Sequence, residues 1–388
     1  MAGIRRRDRL AVAAGLRTGV AALVVLAAAA ACGTAASTSG ASGAATSTGT
    51  SDAVTAASQE PAGTISETGS SLLYPLLADY WAPAFHAQFP SMTLKPAYTG
   101  SQTGIADASA GLVDIGASDA YLSSGDLVKN PTLLNIPLAI SAQTVIYNLP
   151  SLPADKHVQL DGEVLAGIYN GTITTWDDKA IEKLNPGLAL PPDPIVPVVR
   201  SDGSGDTFLF TSYLSTQDTT WNNAYGYGTT VKWPPVQREM AVKGSSKVLT
   251  TCENTVGCIA YNGISYLQGA TSAGLGYAAL DNFAGQPTTP TPTTIADAVA
   301  SFVSITPPNE TISMIDGPST DGYPIVNFEY AIVSARQPDT AKASEIKAFL
   351  TWAITTGNGA QFLGHVEFEP LPPAVADLAK AQIAEIGS

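Results

Sequence analysis

Residues 195–214 read as a β-strand that runs through a glycine-rich turn directly into a helix. Ile195 to Val199 is apolar, Arg200-Ser201-Asp202-Gly203-Ser204-Gly205-Asp206 follows, and Thr207 to Leu214 has helical character. Short strand–turn–helix links are the building unit of α/β folds. They also leave free backbone N–H groups at the helix start, where glycine lets the main chain approach a ligand and a hydroxyl can join in. Two other turns share the design. Glu67-Thr68-Gly69-Ser70-Ser71-Leu72 precedes a helix opening near Pro75, and Tyr98-Thr99-Gly100-Ser101-Gln102-Thr103-Gly104-Ile105 lies between a strand and a helix. Any one of them is most often a simple N-cap. Three in one chain point to a tetrahedral oxyanion held by local dipoles, although spacing alone does not say whether they converge.

The rest of the chain alternates in the same way. Helices are expected at 75–89, 103–110, 162–169, 207–214, 343–355 and 373–386, and strands at 93–98, 113–117, 138–147, 195–199 and 323–333. This pattern predicts an α/β fold with mixed sheets. Large aromatics such as Trp81 and Trp233 are read as core.

Charge excludes some functions. A net charge of −14 argues against nucleic acid, whose binding needs many Lys and Arg against phosphates. An anion bound here would therefore be held locally, not by the field of the whole protein. An enzyme such as a phosphatase would need a metal cluster or an activated nucleophile. The three histidines, His86, His157 and His365, are far apart in sequence, and no metal site or catalytic residue is assigned.

Two charged residues stand out. Arg200 offers a planar fork for two oxygens, and Asp202 can hold it in place. An ordinary surface pair is the alternative. Asp119, in Ile115-Gly116-Ala117-Ser118-Asp119-Ala120, follows a short apolar strand. An ionised carboxylate accepts hydrogen bonds and donates none, so at an anion site it suits a ligand that carries a proton. It would repel sulfate, or molybdate, which has none to give. A turn or capping role for Asp119 remains open.

The N-terminus predicts export. Arg5, Arg6, Arg7 and Arg9 precede an apolar run that ends in Ala30-Ala31-Cys32-Gly33. This reads as a signal peptide over 1–31 with Cys32 as the lipid-bearing first mature residue. The apolar run is too short to span a bilayer. Residues 32–62, mostly Ala, Ser, Thr and Gly, read as a flexible tether. Cys252 and Cys258 predict a local disulfide in an exported protein; a metal pair is the rival.

Six segments carry a resemblance: ETGSSLLYP at 67–75, GASDAYL at 116–122, LAISAQTVIYNL at 138–149, WDD with LNPG at 176–187, RSDGSGDTFLF at 200–210 and ISMIDGPSTDGYPIVNFEY at 312–330. In these the chain resembles the phosphate-binding proteins of bacterial phosphate-specific ABC transporters, in particular the lipoprotein form of actinobacteria. The resemblance implies a two-lobed periplasmic-binding-protein clamshell, type II-like, with a hinge. One lobe would be 63–147 plus 320–388, the other 148–319. Inorganic phosphate would be the ligand, with no cofactor, and the partners would be the permease and ATPase subunits of an importer and, through the lipid, the cell membrane. The protein would act as a monomer. Phosphate-binding positions would be Ser71, the Leu72 backbone, Ser101, Asp119, Arg200 supported by Asp202, Ser204, Gly205 and Asp206. Asp206 stands where Thr is common in the wider family, which would add a second acceptor carboxylate. Gln102 and Thr103 depart from the commoner turn, and their roles stay open.

Overall fold

The computed structural model describes residues 61–388 apart from Ala154. The expected signal peptide, Cys32 and the tether up to residue 60 lie outside the described residues. The strands are β1 (Gly63–Gly69), β2 (Met92–Lys95), β3 (Ile115–Ser118), β4 (Leu133–Tyr147), β5 (Gln159–Leu160), β6 (Val196–Arg200), β7 (Met240–Val242), β8 (Cys258–Gly263), β9 (Gly276–Tyr277), β10 (Ala279–Asp281), β11 (Pro287–Thr288) and β12 (Val326–Ser334). Among the described residues they make a mixed nine-stranded sheet, ordered β2-β1-β3-β12-β4-β8-β6-β7 with β9 beside β4, and a small sheet of β11, β10 and β5. The fold is the expected mixed α/β.

Parallel pairing at both ends of the large sheet follows from helical crossovers. Helix Ala82–Gln88 links β1 to β2, and helix Ser101–Ser109 links β2 to β3. At the other end, β6 is parallel to β7 and β8, and helix Gly205–Gln217 leaves from its tip. The centre is antiparallel. β4 pairs with β12 along 133–142 and then with β8 along 143–147, so one strand joins two groups of strands. Every residue of β4 is buried, as expected of a strand covered on both faces.

Both groups pack aromatic side chains into one continuous buried cluster. Phe85 stacks edge-on to Phe349 at 5.2 Å, and Trp81 to Trp352 at 6.2 Å. On the other side Phe210 lies flat on Tyr261 at 4.6 Å, with Tyr169 and Trp233 around them. Trp81 is fully buried, whereas Trp233 is only partly so.

Helix Gly162–Tyr169 has the bounds read from sequence, and the other expected elements shift by a few residues. β4 begins at Leu133, five residues early. Pro137 lies in that added stretch. It flanks a slip in register between Glu329 and Tyr330, where the ladder is already interrupted, a place that tolerates proline. The sulfurs of Cys252 and Cys258 stand at bonding distance with Cα atoms 5.3 Å apart, and tie the end of helix Ser245–Glu253 to the start of β8. Among the described residues no helix is long and apolar enough to cross a membrane, and no three His, Cys, Asp or Glu are grouped to hold a metal.

Candidate functional site

The glycine-rich turns converge. Strand β6 delivers Arg200 into the middle of the protein, where its side chain is 1% exposed. The turn that follows folds Asp202 back: Nε donates to Oδ1 at 2.8 Å and Nη2 to Oδ2 at 2.5 Å, a two-pronged grip. The third prong, Nη1, donates to Asp206 at 2.5 Å and to Ser245 Oγ at 3.2 Å. Ser204 ends the turn as N-cap of helix Gly205–Gln217, yet its side chain makes no capping bond. Its hydroxyl is buried and has no hydrogen-bond partner among the described residues.

The other two turns face this one. Ser70, after β1, donates to Asp119, after β3. Ser101 Oγ opens helix Ser101–Ser109 and accepts from the Asp119 backbone at 3.2 Å. Ser71 Oγ lies 2.7 Å from Ser245 Oγ. The Asp119 carboxyl presses so close to Gly205 that a Cβ there would sit 2.3 Å from its Oδ2. Glycine at 205 is thus a requirement of contact, not of backbone angle. The two sides also touch directly: Gln102 N–H donates to Gly203 O at 3.1 Å, Ser265 Oγ to Leu72 O at 2.7 Å and Tyr266 OH to Ser71 O at 3.0 Å.

A model described as a PBP superfamily domain matches residues 54–356. The phosphate-binding protein PstS of Methanocaldococcus jannaschii is 34% identical, over 79% of this chain and 82% of its own. This chain belongs to the PstS family of solute-binding proteins. Phosphate-binding protein PstS3 of Mycobacterium bovis is 33% identical over 74% of this chain and 77% of its own. The solved phosphate-binding protein of Stenotrophomonas maltophilia shares the fold, with a TM-score of 0.62 at 21% identity over 82% of this chain and 94% of that one. PstS proteins are binding components of transporters, not enzymes.

The site positions read from sequence lie close together in the fold, with one difference. The Leu72 N–H is already committed to Ser70 Oγ at 3.1 Å, so Ser70 organises this turn more than expected. Gln102 gains a role as a clasp: its N–H reaches Gly203, and its side chain fills the space beside that glycine. Sequence reasoning missed four residues. Ser245 bonds Asp206 at 2.7 Å, and its Gly244-Ser245 start before a helix repeats the signal of the other turns. Gln143 on β4 donates to Asp206 at 3.1 Å. Ser70 and Glu329 adjoin Asp119.

The electrostatics are acid-rich. Burial works against the Arg200 charge, but Asp202 and Asp206 outweigh it and keep the guanidinium firmly protonated. Burial also opposes ionisation of Asp202, yet the Arg200 bonds prevail and hold this carboxyl below its usual range. Asp206 goes the other way. Burial lifts it to about 7; Arg200 pulls it down and Asp119 pushes it up. Its short ion pair does not keep it low, because one guanidinium serves two carboxylates and a third stands nearby. Burial raises Asp119 too, against the pull of Ser70, Glu329 and Arg200. The site thus joins a cation, hydroxyl donors and two carboxyls that accept when ionised, which suits an anion that brings protons of its own.

Proposed function

We propose that this protein captures inorganic phosphate in the cleft between two lobes and hands it to the permease of an ABC importer. The observation that carries the reading is the buried Ser204 hydroxyl, partnerless at a helix start between Arg200 and Asp119. A buried hydroxyl is ordinarily hydrogen-bonded, and a helix N-terminus beside an arginine is a natural anion seat. Arg200, Ser71, Ser101, Ser204 and the Gly205 amide would donate to phosphate oxygens. Asp119 and Asp206 would accept from its hydroxyls. The lobes would be those expected from sequence, and the change of partner along β4 at Ala142–Gln143 supports a passage between them a few residues before 147.

The test is calorimetry on protein that has been unfolded and refolded to remove carried-over ligand. Tight phosphate binding with no heat from sulfate is expected. Equal binding of phosphate, sulfate and molybdate would overturn the choice of phosphate. Folded protein that takes up none of them would overturn the anion site itself.

The same reading places the protein outside the cytoplasm, held to the membrane by a lipid on Cys32. Palmitate labelling that disappears in Cys32→Ala is the expected result. We also read Cys252–Cys258 as a disulfide in the exported protein. A loop of this length stabilises by about 2 kcal/mol in the chain-entropy account. Reduction is therefore expected to lower the melting temperature without abolishing phosphate binding, as thermal melts with and without a thiol reductant would show.

A further inference from the structure

Beneath Asp119 lies a second carboxyl that sequence reasoning did not single out. Strand β12 runs antiparallel to β3 with Tyr330 opposite Ser118, which puts Glu329 level with Asp119 across the sheet. Facing residues at this spacing have side chains in contact range. On its other edge the β4 pairing slips between Glu329 and Tyr330, leaving Leu138 as the extra residue. Such a slip re-aims nearby side chains. Glu329 is fully buried. Its Oε1 accepts from Ser141 Oγ at 2.6 Å and from Asn327 Nδ2 at 3.0 Å. Among the described residues no donor reaches its Oε2, which is shielded from water.

Two ionised carboxylates in contact without water would repel strongly, so a proton between them is the economical arrangement. Asp119 is the better anion of the two. It has Ser70 as donor, Ser101 beside it and Arg200 in range, whereas Glu329 has only the neutral Ser141 and Asn327. Burial and the Asp119 charge together push Glu329 well above the carboxylate range. The charged and titratable groups around it are Asp119 from the turn after β3, Arg200 and Asp206 beyond that, and Tyr330 next along β12. From β4 the neutral Ser141 donates to it, and Ala139 stands opposite it in register.

We propose that Glu329 is a proton-bearing positioning residue: its neutral carboxyl donates to Asp119 from below and keeps Asp119 as the ionised acceptor that faces the ligand. The inference rests on the phosphate reading, and it adds a source for the selectivity. The ligand's own proton is read by Asp119 only because another proton is parked behind it.

The experiment compares wild type, Glu329→Gln and Glu329→Leu. Each is checked for folding by thermal melt and titrated with phosphate and sulfate across a pH series. Infrared spectra are recorded on the ligand-free proteins. Glutamine keeps an N–H that can donate to Asp119, so phosphate affinity within about 3-fold of wild type and intact rejection of sulfate are expected. Leucine cannot donate, and a bond to a charged group is lost; phosphate affinity is expected to fall about 10- to 100-fold and sulfate to gain. Wild-type affinity should decline at alkaline pH as Glu329 loses its proton, and Glu329→Gln should lack that decline. In the difference spectrum, Glu329→Gln should lose the protonated-carboxyl band that belongs to Glu329, while those of the other raised carboxyls, Glu67, Glu310 and Asp206, remain. Retention of that band, an unchanged alkaline decline in the glutamine variant, or equal binding by the leucine variant and wild type would each overturn the proposal. Failure of wild type to bind phosphate would instead overturn the reading beneath it, and the infrared comparison would still report where the proton sits.

Discussion

Asparagine at position 119 is expected to weaken phosphate binding about 10- to 100-fold and to reduce the preference over sulfate by about 1,000-fold. The two effects have one cause. The Asp119 carboxyl can only accept when ionised, so it rewards a ligand hydroxyl and repels an oxyanion with no proton. An amide of the same shape presents an N–H towards the ligand. Phosphate loses an acceptor, while sulfate gains a donor in place of a buried charge. Shape is nearly conserved, and Ser70 can still donate to the remaining oxygen, so folding should survive. The pH dependence separates this account from a packing effect. Burial raises the Asp119 carboxyl above its ordinary range, so it takes up a proton at a higher pH than a free aspartate. As pH falls through that raised value, wild type should become more tolerant of sulfate. The asparagine variant lacks this titration, and its ratio should keep only the change that Asp206 causes near pH 7. Calorimetry with both anions across the acid range measures it.

How much of this was legible in the sequence depends on how local the signal is. The turn 200–206 was readable because glycine, serine and charge sit in consecutive positions, and each has a backbone reason to be there. Helix Gly162–Tyr169 was readable for the same reason: Asp161 caps it through the Val164 N–H at 2.8 Å, and its body is apolar. Strand β1 was not recognised as a strand. Its residues Ser66, Glu67 and Thr68 are polar, and it is held as a strand by parallel neighbours on both sides, which are distant in sequence. Glu329 was hidden for a related reason. It lay within a segment read simply as a strand, and nothing local shows that its carboxyl is buried against a partner across the sheet. That partner, Asp119, is 210 residues away and comes opposite only through the β3–β12 register. Ser245 carried a local signal, glycine then serine before a helix, but a lone example of that pattern is usually an N-cap. Convergence is what gave these residues meaning, and convergence is a property of the fold.

Methionine at position 200 is expected to abolish phosphate binding, with a loss of about 1,000-fold or more. Arg200 is the only cation bonded to Asp202 and Asp206 among the described residues, so nothing replaces its charge at the anion seat. Removing one partner of a buried, hydrogen-bonded charge group costs about 2–5 kcal/mol, and part of that is the penalty on the partners left behind. Lysine should restore little, because a point charge cannot grip both Asp202 oxygens while reaching Asp206. The pH response of stability gives a second readout. In wild type the folded-state Asp206 titrates at about 7, above its unfolded value. The folded state therefore holds more protons in the window between, and this group's contribution to stability falls as pH rises through it. Without Arg200 the folded carboxyl should titrate higher still, extending that fall to more alkaline pH. Asp202 acts with the opposite sign: its lowered value contributes stability above the unfolded range and loses it in acid, and in the variant that contribution disappears. Both changes point one way. The methionine variant should lie closest to wild type in melting temperature near pH 5 and furthest below it near pH 8. A constant gap across that range would mean that the guanidinium stabilises the fold through packing alone.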